Sequence, residues 1–162
     1  METLIFHGVI QDGIHKYSEL YVPGRSEITQ APEDWPRALC KGSLNVGIRS
    51  DGYPAIFSVR GLPNQVSSLD TECFPCCFKI EQDQFQNNLI TPTDAYPKRG
   101  SAQVWRASLE ADRQPIACWV LRRYGSTLTT VLEILSEHHL RNTYGFKNGQ
   151  PVSVALQSGA AV

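Results

Sequence analysis

Short apolar runs, several with strict alternation, recur along the whole chain: Leu4–Ile10, Glu19–Val22, Ser43–Ile48, Ala55–Val59, Cys76–Ile80, Gln103–Leu109, Ile116–Leu121, Thr130–Leu135 and Val152–Leu156. Runs this short, with a period of two and turn residues between them, read as β-strands. Only two segments carry helix signals. One is Trp35–Leu39 after Asp34, and the other is Glu137–Tyr144, with Ser136 as N-cap and Gly145 as stop. So many strands with so little helix predict a mainly β, closed barrel rather than an open layered sheet.

The chain has 162 residues, enough for one domain with its own core, expected over residues 1–156. Ten prolines and twelve glycines suit a fold with many turns. Two segments rich in turn and polar residues, 61–71 and 82–100, read as insertions, the second punctuated by Pro92 and Pro97 and expected to be a mobile excursion. The small residues at 157–162 are expected to fray.

Fifteen basic against sixteen acidic residues give a net charge of −1, so no general field draws the protein to nucleic acid or to an anionic membrane surface. The segment Met1–Ile10 has no basic start, and no stretch approaches the roughly 20 apolar residues of a spanning helix. A cytoplasmic protein is the expectation. Five cysteines then read as free thiols, and Cys73-Phe74-Pro75-Cys76 is a single C-x-x-C with no second half, so no structural zinc is expected.

Several side chains stand out chemically. On a strand, residues i and i+2 share a face, so Ser43 and Asn45 present a hydroxyl and an amide oxygen side by side while Leu44 and Val46 point to the core. Such a pair suits magnesium, which takes one or two protein oxygens and fills its shell with water and phosphate; it also suits an ordinary half-buried strand. Glu133 interrupts the apolar strand Val131–Leu135 and must face solvent, a partner or a pocket. His138, His139, Leu140 and Arg141 fall at an expected helix start, where an anion is favoured. Arg122 to Thr127 offer cations, a ring and the hydroxyls of Ser126 and Thr127 just before Glu133.

Three separated segments, in order, resemble the archaeal CTP-dependent riboflavin kinases. Gly8-Val9-Ile10-Gln11-Asp12-Gly13 is similar to the strand and glycine turn that open that family's nucleotide loop. Gly42-Ser43-Leu44-Asn45-Val46 resembles its Gly-Thr-Leu-Asn signature. The stretch from Trp119 through Arg122-Arg123-Tyr124, Val131–Leu135 and Leu140-Arg141 to Phe146-Lys147-Asn148-Gly149 is similar to its closing strand, Leu-Arg helix and glycine turn. The segments span about half the chain. At the first, His15-Lys16-Tyr17 follow Gly13-Ile14 where the family has further glycines, and Lys16 supplies a charge.

The resemblance implies a six-stranded cradle-loop barrel and Mg²⁺-dependent transfer of phosphate from a nucleoside triphosphate, CTP in the family, to riboflavin, giving FMN. By residue it implies magnesium on Ser43 and Asn45 and Glu133 on the flavin side. It also implies a flavin-contacting hydroxyl at Ser126 or Thr127, and nucleotide contacts at Gly13, Lys16, His138, His139, Leu140 and Arg141. A non-catalytic barrel of the same ancestry that binds a flavin or nucleotide as a sensor stays open beside this reading. A small DNA-binding regulator is disfavoured by the charge.

Overall fold

The computed structural model describes residues 2–12, 22–28, 30–85, 90–112 and 114–159. Alternating exposed and buried residues over Thr3–Gln11 make strand β1, and the same pattern makes β7 over Pro151–Gln157. Between them lie β2 (Leu44–Ile48), β3 (Phe78–Ile80), β4 (Ala102–Glu110), β5 (Ile116–Arg123) and β6 (Val131–Leu135). The order is β3-β4-β5-β6-β2-β1-β7, and β4 also pairs with β7. Six antiparallel strands therefore close into a barrel, with β3 outside the ring on the edge of β4.

Strands β4, β5 and β6 bury residues on both faces, because each face meets a core. One face fills the barrel with Trp105, Ala107, Leu109, Val120, Leu132 and Ile134, which pack with Phe6, Val46 and Val154. The opposite face carries Ala102, Val104, Trp119, Leu121 and Leu135 into a second cluster, outside the barrel, with Val22, Ile28, Trp35 and Phe85. Trp35 is fully buried there. Its indole N–H donates to the Pro23 carbonyl (3.0 Å) and its ring meets Trp119 edge-on at 4.9 Å.

Two short helices plug opposite ends. Helix α1 (Ala55–Val59) follows β2 and inserts Phe57 against Phe6 (5.8 Å between ring centroids), beside a 3₁₀ turn at Val66–Thr71 that buries Val66 and Leu69. Helix α2 (Leu140–Tyr144) follows β6 and closes the other end with Leu140, joined by Phe146.

The structure corrects several expectations. Ala55–Val59 is a helix rather than a strand, because Pro54 enters it in extended conformation and Phe57 and Ile56 turn toward the barrel mouth. Trp35–Leu39 is no helix, since Pro36 removes a backbone donor and biases Trp35 away from the helical region. The last helix starts at Leu140 instead of Glu137. His139 caps it, its Nδ1 accepting from the Asn142 N–H at 3.3 Å, while Ser136 accepts from the His138 N–H at 3.0 Å in a separate turn. Gly145 ends it in the left-handed region at φ 73°. The 61–71 segment is built into the core through Val66 and Leu69. Within 82–100, Phe85 and Ile90 are buried and Gly100 N–H bonds the Tyr124 carbonyl at 3.0 Å. Most of the expected strand Glu19–Val22 lies outside the described residues.

Candidate functional site

At the end of the barrel closed by α2, Gly42 turns with φ 84° and delivers Ser43 to the start of β2. The Ser43 hydroxyl donates to Asn45 Oδ1 at 2.9 Å, the side-by-side arrangement that strand periodicity predicts. Asn45 is paired in register with Gln11 on β1 and with Glu133 on β6, so one row across three strands carries two amides and a carboxyl. Their side chains lie on the outer face of the barrel, since Leu44, Val46, Leu132 and Ile134 occupy the inner one.

Asn45 and Glu133 are 8% and 9% exposed. Burial pushes the Glu133 carboxyl up from 4.5 to about 7, against the pull of Arg122, Arg123 and the neighbouring Ser43 hydroxyl. The two arginines do not cancel the burial because their guanidiniums are engaged elsewhere. Arg122 forks onto Asp70 (2.9 and 3.0 Å) and donates to the carbonyls of Leu128 and Ser126. Arg123 donates to the Gly100 carbonyl at 2.7 Å and lies 4.2 Å from the Phe85 ring centroid. A carboxyl held near 7 exchanges its proton at neutral pH, as a general base must.

Beside Ser43 a small cleft of about 100 Å³ runs between Lys41 and Ser43 on one side and Ser136, His138, His139 and Arg141 on the other. Arg141 donates to the Gln11 carbonyl (3.0 Å) and to Asn148 Oδ1 (2.7 Å), and lies 3.8 Å from the Asp12 carboxylate. It thus pins the end of β1 to the turn before β7, where the chain enters the glycine-turn segment. His138 is exposed beside Glu137, 3.6 Å away. With only five residues, α2 offers no helix-dipole site, so any role of this stretch must come from its side chains.

Ser43, Asn45, Glu133 and His138 to Arg141 are therefore brought to one end of the barrel. Ser126 and Thr127 are not: they lie in the β5–β6 turn at the other end, where Ser126 Oγ accepts from the Leu128 N–H at 3.2 Å and Thr127 is exposed. Gly13 and Lys16 lie outside the described residues. The cysteines are free thiols; burial raises Cys76 and Cys77 and pushes Cys118 up to about 12, which disfavours the thiolate.

The 2.9 Å between Ser43 Oγ and Asn45 Oδ1 is the length of the hydrogen bond that joins them. Among the described residues no three His, Cys, Asp or Glu side chains form a metal cluster. Sequence reasoning missed Gln11 in the row and the Asp70–Arg122 pair. Gln11 carries no signal by itself, because only strand register puts it beside Asn45.

No protein-family model matches the chain, and no curated protein is significantly similar to it. Among the described residues no helix is long and apolar enough to cross a membrane.

Proposed function

We propose that the chain is a riboflavin kinase-like, magnesium-dependent phosphotransferase that moves the terminal phosphoryl group of a nucleoside triphosphate onto a small alcohol, riboflavin by resemblance. The observation that carries this reading is the cross-strand pairing of Asn45 with Glu133, a carboxyl near 7, with the Ser43 hydroxyl bonded to Asn45 beside them. In this reading Glu133 accepts the proton of the acceptor hydroxyl. The hydroxyl oxygen forms the new P–O bond, and the bond to the nucleoside diphosphate breaks, its electrons leaving with that product. Magnesium, when bound to Ser43 and Asn45, supplies neutralisation of phosphate charge. The cleft residues His138, His139, Leu140 and Arg141, together with Gly13 and Lys16, then serve the nucleotide. A reaction that consumes a nucleoside triphosphate fits a cytoplasmic setting.

A second reading, a sensor that binds flavin or nucleotide without turnover, is favoured by His15-Lys16-Tyr17 standing where the resembled family has further glycines. Incubation with riboflavin, Mg²⁺ and each of the four nucleoside triphosphates separates the two. FMN formed with any of them, and suppressed by chelation of Mg²⁺, supports the kinase. Riboflavin uptake with no FMN supports the sensor.

A further inference from the structure

The end of the barrel away from Ser43 holds a larger cleft that the proposed phosphotransfer does not use. It lies between the 95–99 segment and the β5–β6 turn, has a volume of about 560 Å³, and is lined by Tyr96, Pro97, Lys98, Arg99, Tyr124 and Asp70. That volume lies within the range of small-molecule sites, about 300–1,000 Å³.

Its walls are fixed by a set of anchors. The Glu72 carboxylate is shared by Lys79, by Lys98 (2.9 Å) and by the Tyr124 hydroxyl (2.8 Å), and these contacts hold its pKa down to about 2. Glu72 is the one non-glycine residue at positive φ (60°) among the described residues, a backbone conformation that costs about 1–2 kcal/mol and persists only where the surroundings enforce it. Gly125, at φ 76°, leaves its side-chain space to the Arg99 stem, whose Cγ would lie 2.8 Å from an added Cβ. Glu72 and Gly125 thus seat the 95–99 segment against the barrel and hold the cleft open.

Charge decides what such a cleft accepts. Asp70 is occupied by Arg122 and by the Gly125 N–H (3.2 Å), and Glu72 by Lys79 and Lys98. Arg99 gives one N–H to the Thr91 carbonyl at 2.8 Å, and among the described residues no carboxylate lies within ion-pair distance of it. Tyr96, 70% exposed, places a large ring at the same mouth. We infer that this cleft is a second binding site, for a planar aromatic molecule carrying one negative charge, with Arg99 meeting the anion and Tyr96, Pro97 and Tyr124 meeting the ring.

The test is a titration of the full chain with 1-naphthoate, followed by amide NMR shifts, beside the neutral analogue 1-naphthalenemethanol. The expected result is saturable shifts at Lys98, Arg99 and Gly125, with the neutral analogue and Arg99→Gln each about tenfold weaker. Tyr96→Ala, a change at an exposed position that leaves the fold intact, should also weaken binding severalfold. Equal affinity for the two compounds, naphthoate binding unaffected by Arg99→Gln in a folded variant, or shifts confined to the Ser43 cleft would each overturn the assignment. None of these outcomes depends on FMN formation, so this site and the phosphotransfer reading stand or fall separately.

Discussion

Replacing Glu133 with glutamine isolates the physical feature on which the candidate site rests, a carboxyl whose charge is disfavoured by burial. In the folded protein this group titrates at about 7, against 4.5 ordinarily. A carboxyl with a raised folded pKa contributes stability that is fully present below about 4.5 and is lost as pH rises through about 7. The gap, at about 1.4 kcal/mol per pH unit, amounts to about 3 kcal/mol. Glutamine keeps the shape and has no charge to bury, so Glu133→Gln should gain about 3 kcal/mol relative to the parent chain between about pH 4.5 and pH 8. Other titrating groups cancel in the difference. Urea unfolding followed by the fluorescence of buried Trp35, Trp105 and Trp119 measures it. A difference that stays flat with pH, or that moves in favour of glutamate at high pH, would refute the reasoning.

Asn45→Ala should abolish FMN formation while costing about 1–3 kcal/mol, because Asn45 is buried and its loss removes the hydrogen bond it accepts from Ser43; circular dichroism of the purified variant checks that it remains folded. Gly8→Ala should cost about 1–3 kcal/mol in thermal or urea unfolding, since a Cβ there would stand 2.2 Å from the Gly47 carbonyl oxygen and push β1 from β2. Glu72→Gly should be less destabilising than Glu72→Ala by about 1 kcal/mol, although both lose the same carboxylate, because only glycine adopts φ 60° freely.

Six barrel strands were legible because each buries a face on a two-residue period or is apolar throughout. Ala55–Val59 shares that look and is a helix. Five residues are too few to show a period, and the choice was made by Pro54 and the space Phe57 fills at the barrel mouth. Over Trp35–Leu39, Pro36 opposes a helix more strongly than Asp34 favours one as a cap. Ser43 and Asn45 could be paired from strand geometry alone, and Glu133 stood out as an acid among apolar neighbours. That these residues are cross-strand neighbours depends on the β2–β6 register. The bond from Arg122 to Asp70, 52 residues away in sequence, depends on the 66–71 turn docking against the barrel end, which no local pattern encodes.

The most direct test of the central claim is the pH dependence of FMN formation from riboflavin, Mg²⁺ and a nucleoside triphosphate, in the parent chain and in Glu133→Gln. With Glu133 as the base, the rate should rise with pH through the midpoint of this carboxyl, which burial raises and bound Mg²⁺ draws back below 7, and the glutamine variant should be slow and lack that rise. A rate that shows no such limb, a variant that keeps it, or the absence of FMN with every nucleotide would contradict the account.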